Sequence, residues 1–253
     1  MTTPRHDGRA LDELRPCTIE AGYIRTAEGS ALITCGRTRV ICTASVEPGA
    51  PKWLSGGGWL TAEYAMLPGA TSPRGRRDPG GRGKEIQRLI GRSLRAALDL
   101  GQLVRPTGEA LSIVVDCDVI EADGGTRTAS ITGGYVALAL ALEALRARGD
   151  LTSEPVRGAV AAISVGIVPA EGDGALTAML DLPYHEDSRA AVDLNVVAMA
   201  GGGLVEVQGT AEGKVFSRAQ LNAMLDLAEG GIGRLFALQG DVIAAAAGAG
   251  ARG

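Results

Sequence analysis

The stretch from Leu111 to Arg148 constrains this chain more than any other, because it sets a strand, a glycine turn and a helix end to end. Leu111, Ile113, Val115, Cys117 and Val119 alternate along one side of a strand that runs to Ile120, the period of two expected of a half-buried strand. Asp123-Gly124-Gly125-Thr126-Arg127 follows, and Thr128 to Arg148 reads as a helix of small and apolar residues, buried on most sides and stopped by Gly149. Such a turn suits an oxyanion. Glycine lets backbone approach closely, the first N–H groups of a helix lack intrahelical partners, and arginine adds a forked cation. It is neither a Walker A loop, having no Gly-Lys-Ser/Thr, nor a GxGxxG fingerprint. Taken alone, it is equally a tight turn that carries Arg127 at the surface.

The remaining elements alternate in the same way. Ala31 to Cys35 and Val40 to Val46 flank Gly36-Arg37-Thr38 as a hairpin, and Leu60 to Leu67 is a further strand. Pro68 to Gly83 is a loop rich in Gly, Pro and Arg. Lys84 to Leu100 is a helix with Ile86, Leu89, Ile90, Leu94, Ala97 and Leu98 at helical spacing. The second half offers strands at Ala159 to Val168, Leu176 to Leu182, Ala191 to Ala198 and Leu204 to Gln208. A helix from Ser217 to Leu227 is expected to stop at Gly230-Gly231, before a final helix over Ile232 to Ala247. No Pro/Ser-rich linker divides the chain, so one compact α/β domain is expected over residues 1–247, with a disordered Ala/Gly tail at 248–253.

Charge is uneven. The net charge of −4 gives no global sign of a polyanion binder, yet Arg74 to Arg105 holds nine basic residues against three acidic ones. Lys84, Arg88 and Arg92 repeat on one helix face that could meet phosphates, and a solvated face is the plain alternative. Aromatic residues make up only 3%, so any nucleic acid would be held by arginine and backbone more than by stacked rings. The four cysteines (Cys17, Cys35, Cys42 and Cys117) have no CxxC spacing and read as small buried hydrophobes in a reducing compartment. The polar N-terminus and the lack of a membrane-spanning run point to a cytoplasmic protein with no membrane partner.

Two acidic groups are candidates for chemistry. Asp187, in a loop, and Asp193, on the strand after it, could converge on Mg²⁺, which takes oxygen ligands; a solvated acidic loop is the alternative. Asp116 and Asp118, on one face of their strand, form a rival site or a structural pair. With His6 and His185 the only histidines, no nucleophile–His–acid triad can be argued, and His185 reads as an exposed loop residue.

Together these segments resemble the ribonuclease PH family of phosphate-dependent exoribonucleases. The carrying stretches are His6-Asp7-Gly8-Arg9, Glu13-Leu14-Arg15-Pro16, Val40 to Glu47, Trp59 to Pro68, Glu85-Ile86-Gln87-Arg88-Leu89-Ile90-Gly91-Arg92, Ala122 to Gly133, Glu186-Asp187-Ser188 and Val205 to Thr210. The resemblance implies a ribosomal-protein-S5-domain-2-like α/β (α+β) fold in a homo-hexamer, a trimer of dimers. It implies that Gly125, Thr126 and Arg127, completed by Arg82, hold inorganic phosphate, and that Asp187 and Asp193 form the catalytic acidic pair that positions Mg²⁺. Arg74 and Arg77 would bind the tRNA stem, with Arg88 and Arg92 as further RNA contacts. The implied reaction removes 3′-terminal nucleotides of tRNA precursors, and of other RNA 3′ ends, as nucleoside diphosphates. Phosphate is then the nucleophile, which accounts for the missing catalytic His or Cys. A catalytically silent RNA-binding ring subunit and a small-molecule phosphotransferase are the competing readings. The sequence departs from the family in a shorter loop between Pro68 and Gly81, with Gly69 where arginine is common, in a longer Gln102 to Ala110, and in His185 in place of a glutamate.

Overall fold

A computed structural model describes residues 5–77, 80–171, 174–213 and 215–250. Its strands are β1 (Cys17–Ala21), β2 (Gly29–Cys35), β3 (Thr38–Pro48), β4 (Trp59–Met66), β5 (Leu111–Glu121), β6 (Val160–Pro169), β7 (Leu176–Leu180), β8 (Val192–Met199) and β9 (Gly203–Ala211). Its helices are α1 (Gly80–Ala96), α2 (Thr126–Ala147), α3 (Tyr184–Asp187) and α4 (Arg218–Gly250). One sheet has the order β1-β2-β3-β5-β4 and the other β7-β6-β8-β9. Every pairing is antiparallel except β4 with β5. A parallel pair needs a crossover, and α1 lies on that connection, packed against β4.

The alternation in β5 is realised as expected: Leu111, Ile113, Val115, Cys117 and Val119 all face the core. Above them lies α2, which contacts β2 and β3 of the first sheet and β6 of the second. Its small residues let it sit there. A Cβ on Gly133 would lie 2.7 Å from Ile33 Cγ2, and one on Gly29 of β2 would lie 2.0 Å from the Ala137 carbonyl oxygen. Its 22 residues are apolar enough to cross a bilayer, contrary to the expectation that no such run exists, but 83% of the apolar window is buried inside the fold. The Gln239 side chain of α4 donates from Nε2 to the carbonyls of Thr132 (2.9 Å) and Val160 (3.0 Å), which ties α4 to α2 and β6.

Several expectations are corrected. Gly230-Gly231 does not stop a helix: α4 runs through both glycines from Arg218 to Gly250. A Cβ on Gly231 would come within 2.9 Å of Leu180, so this glycine allows the helix to press on β7, and tertiary packing overrides the local breaker signal. The tail expected from Gly248 is helical through Gly250, and residues 251–253 lie outside the described residues. Helix α1 begins at Gly80, earlier than Lys84, and the arginine-rich loop before it includes residues 78–79, also outside them. Strand β1 has only Ile19 fully buried, too little apolar signal to be read from sequence.

A continuous α4 has a testable consequence. A methyl group added at Gly230 would meet nothing within 4 Å, so Gly230→Ala should stabilise the protein by about 0.5–1 kcal/mol in urea unfolding. Gly29→Ala should destabilise it by about 1–3 kcal/mol, because the methyl meets helix backbone. A loss of stability in Gly230→Ala would contradict the unbroken helix.

Candidate active site

The turn after β5 is built by two glycines in a conformation that other residues rarely adopt. Gly124 (φ +74°) and Gly125 (φ +68°) are left-handed, and a Cβ on Gly124 would lie 2.5 Å from the Leu182 carbonyl oxygen and 2.8 Å from the Tyr184 nitrogen. The turn therefore lies directly against the β7–α3 connection. Hydrogen bonds fix it on three sides. Thr38 Oγ1 donates to the Gly124 carbonyl (2.7 Å) and accepts from the Asp123 nitrogen (2.9 Å). Arg15 Nη1 donates to the Asp123 carbonyl (2.6 Å), and the Tyr184 nitrogen donates to Asp123 Oδ1 (3.2 Å).

Beneath the turn sits Asp181, buried and itself left-handed at φ +53°. Burial pulls its carboxyl upward, but the Arg15 guanidinium outweighs this and holds it below the usual carboxylate value. Arg15 reaches both its oxygens, at 2.6 and 3.1 Å, and the Arg15 backbone nitrogen adds a third bond at 2.8 Å. Arg5 and Arg9 donate to the Asp181 carbonyl, and Arg5 also pairs with Glu186 of α3. The N-terminal segment is thus the scaffold that holds α3.

On this frame the predicted residues converge. Arg82, Gly125, Thr126, Arg127, Asp187 and Asp193 line one pocket of about 440 Å³. Gly125, the N-cap of α2, provides no side-chain cap, which leaves the helix N-terminus turned toward the pocket. Tyr64 on β4 donates to Thr126 Oγ1 (2.9 Å). Arg127 Nη1 donates to Gln208 Oε1 of β9 (2.8 Å), and Gln208 Nε2 donates to Glu85 Oε1 of α1 (2.8 Å), which orients the guanidinium.

The same pocket is lined by the two carboxylates. Asp193 is pushed up to about 6, first by burial and then by the negative charge of Asp187; Arg127 and Arg82 partly offset both. Its Oδ1 is buried with no hydrogen-bond partner, and its Oδ2 accepts only a long bond from Asn195 (3.4 Å). Asp187 is also raised by burial, against the pull of Arg82, Arg127 and Arg15. Each carboxylate thus feels the two arginines predicted to hold phosphate. Guanidinium and carboxylate groups thus line the same pocket.

The RNA-binding candidates fall differently. Arg77 lines the pocket, together with Arg76, which has no distinguishing signal in the sequence. Arg74 is exposed and donates to the adjacent Gly75 carbonyl, and Arg88 is exposed on α1. Arg92 is already engaged, its Nε and Nη2 each donating to Glu206 of β9 at 2.7 Å. Asp116 and Asp118 are absent from the pocket lining; they lie on the β5 face turned away from the core, and burial raises both. His185 belongs to α3 rather than a loop, with its ring centroid 4.4 Å from that of His6. His6, Asp7 and Glu186 could hold a metal by proximity, but Arg9 already binds Asp7 and Arg5 binds Glu186. Gln208 and Asn195 are site residues that the sequence does not single out. The alternation of β8 and β9 held the signal, since Asp193 faces Thr210 and Asn195 faces Gln208 across the ladder.

Residues 13–142 match the 3′ exoribonuclease family, domain 1, and residues 158–231 match its domain 2. The two matched segments divide between the two sheets of the α+β fold. The chain is 54% identical over 251 residues to ribonuclease PH of Crocosphaera subtropica, covering 97% of this chain and 100% of that one. It is 56% identical over 242 residues to ribonuclease PH of Corynebacterium glutamicum, covering 93% and 94%. Among solved structures it is similar to the Archaeoglobus fulgidus exosome with RNA bound to the active site, at TM-score 0.74 and 26% identity over 89% of this chain and 88% of that one. A rice Rrp46 structure shares the fold at TM-score 0.73 and 18% identity over 94% and 99%.

The raised Asp193 predicts a pH-dependent stability. Unfolded, the group loses its proton near 3.8; folded and metal-free, near 6, so the folded state binds more protons between these values. Its contribution to stability falls as pH rises through that window and is lowest above it. Asp193→Asn should therefore stabilise the metal-free protein by about 1–3 kcal/mol above pH 6.5 and leave it unchanged near pH 3.5. A pH-independent difference in urea midpoints would contradict the burial of a destabilised carboxylate.

Proposed function

The chain belongs to the 3′ exoribonuclease family, and from that premise we propose that its pocket is where inorganic phosphate meets the 3′ end of an RNA. The protein is a phosphorolytic 3′-to-5′ exoribonuclease, a tRNA nucleotidyltransferase that trims tRNA precursors. One observation carries the site assignment: Arg127, the open N-terminus of α2 and two desolvated carboxylates face a single pocket.

A phosphate oxygen attacks the phosphorus of the last phosphodiester, and the bond from that phosphorus to the preceding 3′ oxygen breaks. The products are a nucleoside diphosphate and an RNA one nucleotide shorter, with the proton ending on the new 3′-hydroxyl. Two anions must approach each other, so cations decide the rate. Gly125, Thr126 and Arg127 hold the attacking phosphate, completed by Arg82 of the same pocket lining. Gln208 keeps the Arg127 fork in orientation and Tyr64 fixes the Thr126 hydroxyl.

Asp187 and Asp193 are the proposed catalytic pair and Mg²⁺ ligands. The unpartnered Asp193 Oδ1 and the mutual repulsion that raises Asp193 fit a hard divalent cation, which takes oxygen donors. Bound there, the ion would offset the negative charge on phosphate oxygens. Arg76 and Arg77 in the pocket lining support an RNA path into it, with Arg74 and Arg88 exposed outside the lining; Arg92 would first have to leave Glu206. The homo-hexamer, a trimer of dimers, the cytoplasmic location and the single 1–247 unit belong to the same proposal and rest on the resemblance. A silent ring subunit would need neither a phosphate nor a metal half-site; the presence of Arg127, Asp187 and Asp193 in one pocket supports the active reading.

Incubation with an RNA bearing a 3′ extension and Mg²⁺ should release nucleoside diphosphates only when phosphate is present. Nucleoside monophosphates, or no release, would overturn the assignment. Arg127→Ala should slow phosphorolysis by about 10²–10³-fold while RNA binding changes little. Equal loss of both would place Arg127 on the RNA instead.

A further inference from the structure

Two of the four cysteines form a pair that the reaction does not use. Cys17 of β1 and Cys35 of β2 are direct cross-strand partners, with their sulfurs 2.9 Å apart. The adjoining pair is hydrogen-bonded, since the Gly36 nitrogen donates to the Pro16 carbonyl at 2.9 Å. Hydrogen-bonded and non-hydrogen-bonded pairs alternate along an antiparallel ladder, so Cys17 and Cys35 occupy the narrow type, where Cα atoms lie about 4.5 Å apart. That separation falls within the range a disulfide spans, about 4.4–6.8 Å. Both residues are partly exposed to solvent.

The molecule contains its own contrast. Cys42 and Cys117 are also direct partners, on β3 and β5, but they are 0% and 1% exposed beneath α2. The first pair is partly exposed and the second is not. The first pair also sits at a mechanically important place. Cys17 lies two residues after Arg15, whose Cδ is 2.7 Å from where a Gly36 Cβ would stand, and Cys35 shares a small cavity with Arg15 and Asp181.

We propose that Cys17 and Cys35 are a modification site, a cross-strand dithiol that a small-molecule disulfide converts to an intramolecular disulfide. The Cys17 thiolate attacks one sulfur of the oxidant, forming a mixed disulfide and expelling one thiolate. The Cys35 sulfur then attacks Cys17 Sγ, the Cys17–Cys35 bond forms, and the second thiolate leaves. The two protein protons end on the two released thiols; the protein loses two electrons and the oxidant gains them. The hydrogen bond with Cys17, followed by burial, raises the Cys35 thiol well above its ordinary value. The product joins β1 to β2 at the base of the segment that carries Arg5, Arg9 and Arg15.

The test exposes the full native protein to oxidised glutathione, blocks free thiols by alkylation and maps peptides by mass spectrometry. The expected result is a Cys17–Cys35 linked peptide with Cys42 and Cys117 alkylated after unfolding, reversed by dithiothreitol. The treated protein should also show a higher urea midpoint, a gain that Cys17→Ser abolishes. Four alkylatable thiols after treatment, a link involving Cys42 or Cys117, or links only between chains would each overturn the proposal.

Discussion

Asp181 is the constraint on which the site depends. Its carboxylate is buried, its backbone is left-handed, and Arg15 binds it through both nitrogen arms and the main chain. A buried ion pair is tolerated only when its remaining polar atoms are satisfied, and here Arg5 and Arg9 meet the Asp181 carbonyl while Arg15 continues to the Asp123 carbonyl. One set of arginines therefore fixes both the glycine turn and the connection that leads to Asp187. Removal of a single member would leave buried charge uncompensated, which ties the precision of the pocket to the stability of the fold.

The two sheets divide the chemistry between them. The first supplies β5 and the turn, hence Thr126 and Arg127; the second supplies Asp193 from β8 and Gln208 from β9. Helix α2 touches both sheets, and its glycines and alanines bring them close enough for one pocket to draw on each. Gln208 crosses the division, accepting from Arg127 on one side and donating to Glu85 of α1 on the other. Glu85 also pairs directly with Arg127, 3.8 Å from Nη1, so α1 and β9 together fix the guanidinium on the pocket wall.

Much of this was legible in the residues. The alternation of β5, the hairpin β2–β3 and the apolar helix α2 are local patterns, so periodicity finds them. Asp187, Asp193 and Arg127 had plain alternatives as a solvated loop and a tight turn, and it was the resemblance to a family that joined them; the structure brings all three to one pocket. The Arg15–Asp181 pair was not legible, because 166 residues separate its members and neither lies in a periodic run. Gly230-Gly231 misled for the opposite reason. A glycine pair is a strong local stop, and only the contact of Gly231 with Leu180 explains why the helix continues. Arg92 looked free on a helix stripe, but its partner Glu206 comes from a strand 114 residues away.

The central claim is that one pocket holds phosphate on Arg127 and a divalent cation on Asp187 and Asp193. Diffraction from crystals grown with Mn²⁺ and phosphate, at a wavelength where manganese scatters anomalously, tests it most directly. The account predicts an anomalous peak between the Asp187 and Asp193 carboxylates and a tetrahedral anion against Gly125, Thr126 and Arg127. A metal seated instead on His6, Asp7 and Glu186, or an anion bound away from the α2 N-terminus, would contradict it.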